Sequence, residues 1–523
     1  MTRLPAVSPR FADLPVLRSQ SRFADVAVSH WPVFALLTGV LAVITAIVLF
    51  RGRPTGDGSV AIAEVVGWST VLVLPPVIYV AMLAAGFSAQ SSIFAAMLGA
   101  TVVFWVFGLV DEFVPALVAV VATLIIGLAP PDVALAGFSS PSLLLLLGVY
   151  ALSAVISSSG LSYRLILGLL VRLPDKPVWH QVTLLGSGYL LSPLMPSTNA
   201  RLSLLTPVHK DMAAGLNLPP RGPAITALLA AMFGGAALFS PMMATSKSAN
   251  IAALGLLPPQ VQAEFGGLFW LVAAAVAAVG VTVIHLLVLP RLFPTGAEGP
   301  LPREDIRRRL ADMGPLNPQE WVAAGGFLFF LIGSATVSWH HVKPPYLAGC
   351  VLLALLLTGT LVRKDFQRQI DWPMIFFLLG IDSLMRIMGH LGLAESLARA
   401  VGHTFDFVNG RIVLFILVAL VVTLTVRLAL PVTAGMLTAA VVLLPVAAAQ
   451  GIHPWICVFC AAVFSDISFF RHQGTNGLIQ IRSDGLLTQA DERGFTRYNM
   501  LMNAARVLVV FASIPWWKWL GLL

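Results

Sequence analysis

Long apolar runs recur along the chain near residues 31–50, 66–86, 92–110, 114–129, 142–159, 224–239, 268–290, 320–337, 346–362, 374–390, 436–449 and 496–516. Runs of this kind suit helices that cross a hydrocarbon layer of about 30 Å, and they predict about a dozen spans. Two more apolar stretches, 181–196 and 412–430, stop at polar, Pro- and Gly-containing motifs and read as re-entrant hairpins. The pattern predicts an all-α polytopic membrane protein. A cleavable leader is not expected, because the first 30 residues carry four arginines and no apolar core, and 31–50 is long enough to stay in the bilayer.

Two of these runs repeat each other. Pro141 to Leu161 reads PSLLLLLGVYALSAVISSSGL and Pro373 to Leu393 reads PMIFFLLGIDSLMRIMGHLGL. A glycine follows each proline by seven positions (Gly148, Gly380), and a Gly-Leu pair begins twelve positions later (Gly160, Gly392). Each copy leads to an interrupted apolar stretch, PSTNARLSLLTPV from Pro196 and LPVTAGMLTAAVVLLPV from Leu430. Downstream, Ala237-Leu-Phe-Ser240 matches Ala462-Val-Phe-Ser465, and each is followed by a polar break, ending at Asn250 and Asn476. Interrupted helices at matching positions of two repeats point to the binding site of a secondary transporter. The chain divides into a lead-in at 1–90, a first unit at 91–290, a cytoplasmic linker at 291–319 and a second unit at 320–523. An odd number of crossings per unit would invert one copy relative to the other.

Composition agrees: 58% hydrophobic residues, 11% charged and a mean hydropathy of +0.89 exclude an ordinary soluble domain. The net charge of +8 does not imply a nucleic-acid partner. Arg164, Arg172 and Lys176 follow one span, Arg291, Arg303, Arg307, Arg308 and Arg309 fill the linker, and Arg363, Lys364 and Arg368 follow another. Cytoplasmic loops gather such residues, which leaves the C-terminus outside. A span at 31–50 would also put Arg3, Arg10, Arg18 and Arg22 outside, against that rule. Cys350, Cys457 and Cys460 sit in apolar stretches without a ligand cluster, and read as packed, reduced thiols. No HExxH, GxSxG or GxxxxGK[ST] occurs, so the parts of a metalloprotease, an esterase or an ATP-driven pump are missing and the chain is not expected to be an enzyme. Energy must come from a gradient or from exchange.

Candidate chemistry gathers at the interruptions. Non-helical backbone at membrane depth survives only when buried in protein or lining a wet cavity. Ser197, Thr198 and Asn199 offer hydroxyl and amide groups at the start of a helix whose free N–H groups suit a carboxylate or other oxyanion; in isolation the same triplet could simply cap the helix. Arg201 can hold a carboxylate with two hydrogen bonds, and its substitution by alanine is expected to abolish transport while leaving the protein folded and inserted. Lys247, Arg427 and Arg471 lie in or beside the other interruptions with Asp466 as the neighbouring acid, an imbalance that favours anionic cargo. Asp466 could pair with Arg471, and Arg427 could reach the membrane interface. Asp382 and Arg386 read as a structural i,i+4 pair. The binding residues expected are Ser197, Thr198, Asn199, Arg201, Lys247 and Asn250 from the first half, and Thr433, Ala434, Arg471, Thr475 and Asn476 from the second.

The GFSSPSLLLLLGVYALSAVISSSGL segment from Gly137, the PSTNAR tip with Pro207 ten residues after Ser197, and the paired Asn-containing breaks resemble the divalent anion:sodium symporter family, over roughly residues 90–520. The family's Ser-Asn-Thr signature is permuted here to Ser197-Thr198-Asn199, and Pro431-Val432-Thr433-Ala434-Gly435 takes its place in the second repeat. Arg201 makes the first tip similar to the PSNTAR pattern of plastid-type 2-oxoglutarate/malate translocators. The resemblance implies a dicarboxylate or sulfate cargo, an elevator-type movement, a homodimer and a bacterial inner-membrane location. It also implies sodium held near each tip, here by Ser197, Asn199 and Asn250. Lys247 and Arg471-His472 in the breaks oppose a sodium ion by like charge, so exchange or sodium-independent transport is the expectation and sodium symport the alternative. A membrane subunit of a multi-component uptake system would share the architecture, whereas a non-transporting receptor, the other alternative, would have no reason to keep two matching broken helices.

Overall fold

A computed structural model describes residues 62–294, 303–393, 396, 410–468 and 476–523. The run at 31–50, the four tail arginines, Arg471, His472 and Thr475 lie outside the described residues. All regular structure among the described residues is helical. The longer helices are α1 (Ile62–Ala84), α2 (Ala89–Phe107), α3 (Phe113–Ile126), α4 (Ser142–Ser158), α5 (Leu161–Arg172), α6 (Pro177–Leu191), α7 (Thr198–Gly215) and α8 (Pro223–Phe233). They continue with α9 (Ser248–Gly255), α10 (Ala275–Leu292), α11 (Arg303–Asp312), α12 (Pro318–Ala335), α13 (Pro344–Leu357) and α14 (Trp372–His390). The second half closes with α15 (Ile412–Ala429), α16 (Val432–Ala449), α17 (Pro454–Ser465), α18 (Asn476–Ser483) and α19 (Glu492–Ala512).

The protein is an integral, multi-pass membrane protein. Among the described residues seven helices are long and apolar enough to cross, with an eighth span if α4 and α5, bent by 61° at their junction, form one broken crossing. Two of the spans read from the sequence, 114–129 and 346–362, fold as shorter apolar helices, α3 and α13; α15, read as a hairpin arm, and α17, which falls in none of the runs, are short and apolar as well. Hydrophobic runs overshoot helix ends: the run at 346–362 folds as Pro344–Leu357, with Gly359 at φ +67° just beyond.

The repeated glycines have a common physical cause. Gly148 on α4 lies against α13, where a Cβ would come within 2.3 Å of the Ala348 carbonyl oxygen. Gly380 on α14 lies against α3, with Ala116 Cβ 3.0 Å from the same imagined atom. Each signature helix thus packs at its glycine on a helix of the other unit. Gly160 and Gly392, at φ +87° and +63°, turn the chain out of the helix in a conformation that other residues rarely adopt.

The helices fall into two packed groups. One holds α1–α5 and α11–α14; the other holds the hairpin pairs α6/α7 and α15/α16 with α8–α10 and α17–α19, where α10 packs along α19. Crosswise contacts recur: the second arm of the first hairpin, α7, packs on α18, and its counterpart α16 packs on α9. The short α9 also touches α4 and α14 and so lies on the seam between the groups. Within the first group, Arg164 on α5 donates to Glu320 Oε1 at 2.7 Å and to the Met313 carbonyl at 3.0 Å. Glu320 also closes a capping box with Asn317 at the start of α12. Asp382 and Arg386 form the i,i+4 pair read from the sequence, at 3.0 Å. Cys457 and Cys460 are buried free thiols, but Cys350 is exposed, because it falls on the outward face of α13.

Candidate anion-binding site

Ser197 caps α7 in extended conformation, its Oγ accepting from the Ala200 N–H. The chain reaches it through Pro193 and Pro196, which end α6 and hold the tip open. Opposite the tip, α8 unwinds into a π-turn at Gly234–Leu238 and then into short 3-10 turns. π-turns concentrate at functional positions because they displace the helix ladder by one residue. The tip and this break are sewn together: the Ser248 N–H donates to the Pro196 carbonyl at 3.0 Å, and Thr198 Oγ1 lies 3.2 Å from Ser240 Oγ.

Arg201 performs most of the sewing. Its guanidinium donates to the carbonyls of Met195, Ser246 (2.7 Å) and Ala236 (2.7 Å), and to the hydroxyls of Ser240 and Thr198. The side chain is 0% exposed and does not line the cavity described next. The expectation that it holds cargo directly is therefore corrected: backbone carbonyls, abundant where a helix unwinds, take all three of its nitrogens. For Arg427 the sequence left two places open, the break and the interface, and the structure shows the break. Instead of reaching the interface it is buried, donating to the carbonyls of Ser465 (2.8 Å) and Leu430 (2.6 Å).

A cavity of about 100 Å³ opens between the two tips. Pro196, Ser197, Thr198 and Asn199 form one side and Val432 and Thr433 the other, with Lys247 and Asp466 from the two breaks. Tyr150 on α4, with Asp371 and Met374 at the start of α14, adds a wall from the other helical group, so the cavity sits on the seam. Ala434 is buried but does not line it, and Asn250 lies behind, its Nδ2 donating to the carbonyls of Ser240 (2.8 Å) and Met243 (2.9 Å). Asn476 opens α18 beside the cavity-lining Gly477; its side chain is outside the described residues, as are Arg471 and Thr475.

The charges are arranged differently from the sequence expectation. Asp466 accepts from Lys247 Nζ at 2.6 Å, an ion pair that joins the two breaks within the cavity wall. Among the described residues, the other cation on the cavity wall is one the sequence did not single out, Arg506 on α19. It lines the cavity, is 2% exposed, donates from Nη1 to Asn503 Oδ1 at 2.9 Å, and its Nε is buried with no hydrogen-bond partner among the described residues. A signal was available, since Asn499, Asn503 and Arg506 follow at helical spacing on one face of an apolar run. Among the described residues, Lys247 and Arg506 balance Asp371 and Asp466 around the cavity, while Arg201 and Arg427 behind the tips leave an excess of two positive charges.

Residues 63–523 match the family model described as the sodium:sulfate symporter transmembrane region. The chain belongs to this family, the divalent anion:sodium symporters. Proteins similar to it include the inner membrane protein YbhI of Escherichia coli, 24% identical over 68% of this chain and 77% of that one. The putative malate transporter YflS of Bacillus subtilis is 24% identical over 54% of this chain and 61% of its own. Dicarboxylate transporter 2 of the Spinacia oleracea chloroplast is 24% identical over 44% of each. A membrane protein of Cupriavidus necator is 23% identical, and the chain spans about half of its length, 49%. In fold, this symporter-family chain is similar to the crystal structure of the Alcanivorax borkumensis YdaH transporter, with a TM-score of 0.50 at 15% identity over 75% of this chain and 88% of that one. A transporter family leaves no role for bond-breaking chemistry at the cavity.

Proposed function

We propose that the chain carries small divalent anions, dicarboxylates of four to six carbons foremost, across a membrane as a secondary transporter. The observation that carries this reading is Arg506: a buried guanidinium in a cavity wall whose Nε lacks a partner is a donor waiting for an acceptor that enters from solution. The excess of two positive charges around the cavity matches the charge of a dicarboxylate or sulfate. The names of two relatives, a putative malate transporter and a dicarboxylate transporter, point the same way. Ser197, Thr198, Asn199 and Thr433 supply hydroxyl and amide groups to the second carboxylate. The seam position supports an elevator-type movement, in which the hairpin-bearing group slides on the other; the latter group also supplies the surface for a homodimer.

We assign sodium-independent transport, exchange included, as the first reading of coupling, because Lys247 already places a fixed cation at the first break. Sodium symport is the second, favoured by the amide oxygens Asn199 Oδ1 and Asn250 Oδ1, which are buried without partners and of the hard-oxygen kind that holds such an ion. A thermal-shift series on the purified protein tests the reading. Malate and sulfate should stabilise the wild type and acetate should not, and Arg506→Gln should lose the malate effect. Equal shifts with acetate, or an unaltered malate response in Arg506→Gln, would overturn the anion site; a malate shift that appears only with sodium would select symport.

A further inference from the structure

This inference rests on the anion-transport reading and asks how the carrier behaves when empty. A transporter that performs net transport must return without cargo, and an uncompensated ammonium at membrane depth makes that return slow. Lys247 is compensated here. Asp466 holds its Nζ at 2.6 Å, from the opposite repeat, with both side chains on the wall of the cavity meant for an anionic cargo. The position is not forced by local structure: Lys247 follows the last 3-10 turn of the first break, while Asp466 is the residue after α17, 219 positions on. Both lie at helix interruptions, where a side chain can turn without breaking a ladder of backbone hydrogen bonds.

We propose that Asp466 is a tethered stand-in for the cargo: its carboxylate occupies Lys247 in the empty carrier, and an entering carboxylate takes its place. Arg506 completes the exchange of partners, since it lines the same cavity and keeps an Nε without a partner among the described residues, so that it can receive either carboxylate. The consequence is specific to mode. An ion pair that compensates Lys247 lowers the cost of moving the unloaded carrier, so the protein performs net transport as well as exchange. Removing the stand-in strands Lys247 and converts the protein toward obligate exchange, in which only the loaded form crosses.

The test uses the full chain in proteoliposomes loaded with radiolabelled malate and diluted into buffer with or without external malate, giving net efflux and exchange rates. Wild type should show both modes. In Asp466→Asn the ratio of net efflux to exchange should fall on the order of a hundredfold, the effect of leaving one buried charge uncompensated in the empty form. In the double variant Lys247→Gln/Asp466→Asn, which removes both charges, the ratio should return to within about tenfold of wild type. If Asp466→Asn does not fold, the double variant alone decides, because with no stranded ammonium the ratio must be near that of the wild type. A ratio unchanged in Asp466→Asn, a double variant as low as the single one, or a wild type that only exchanges each overturns the stand-in while leaving dicarboxylate transport intact. Wild-type vesicles that move malate in neither mode overturn the transport reading and the stand-in together.

Discussion

Arg201 and Arg427 fasten the two hairpin tips in the same way. Arg201 donates to the carbonyl of Met195, just before its tip, and to that of Ser246 in the first break at 2.7 Å. Arg427 donates to the carbonyl of Leu430, just before the other tip, at 2.6 Å and to that of Ser465 at the second break at 2.8 Å. Each break would otherwise hold backbone oxygens without donors in a water-poor interior, so a guanidinium, with five N–H groups, suits the task better than any other side chain.

Arg201→Ala should therefore lower stability as well as transport. Several buried carbonyls lose a charged donor, and a loss of about 2–4 kcal/mol is expected from that number of unsatisfied acceptors. Arg201→Lys should recover little, because one ammonium cannot span the carbonyls of Met195, Ala236 and Ser246. Thermal melting of the purified variants, followed by gel filtration, measures both. A fully stable, transport-dead Arg201→Ala protein would return this residue to the cargo.

Thr433→Val keeps shape and removes one hydroxyl from the cavity wall. Malate affinity should fall about three- to tenfold, the worth of one neutral hydrogen bond, with the melting temperature unchanged. Competition of unlabelled against labelled malate in vesicles gives the affinity, and an unaltered value would remove the second tip from the site.

The two signature glycines should differ in sensitivity. At Gly148 a methyl group would meet the Ala348 carbonyl oxygen at 2.3 Å, and backbone cannot yield without moving α13. At Gly380 it would meet the Ala116 methyl at 3.0 Å, a contact that a slight shift relieves. Gly148→Ala is expected to destabilise by about 1–3 kcal/mol or to prevent assembly, and Gly380→Ala to cost less. Fluorescence-detected gel filtration after heating ranks them, and the reverse order would show that the helix pairs are packed otherwise.

Arg164→Met strands Glu320, which is fully buried beneath it. A loss of about 3–5 kcal/mol is expected, and Arg164→Met/Glu320→Gln should regain most of it, since the penalty lies in the unpaired carboxylate. Melting curves of the two variants and the wild type settle the comparison.

The architecture was largely legible because its cause is periodic. Apolar runs, two glycines at fixed offsets and two polar interruptions are local patterns, and Gly148, Gly380, Gly160 and Gly392 each turned out to mark a close helix crossing or a left-handed turn. The site was legible only in part. The tip residues Ser197 to Asn199 and Thr433 do meet across one cavity, as their recurrence implied. What spacing cannot reveal is which partner satisfies a buried cation. Arg201 and Arg427 found carbonyls, Lys247 found a carboxylate 219 positions away, and Arg506 was left with an unused donor, although all four look alike in a string of letters.

The crossed packing of the signature helices also constrains biosynthesis. The groove around Gly148 is filled by residues 344–357, which leave the ribosome some 200 positions after it. Until then the first half waits in the bilayer with that face turned to lipid, tolerable because a smooth, glycine-notched surface exposes no polar backbone. Insertion and final assembly are thus separated in time, and a chain that stalls within the linker would remain threaded through the membrane yet never close.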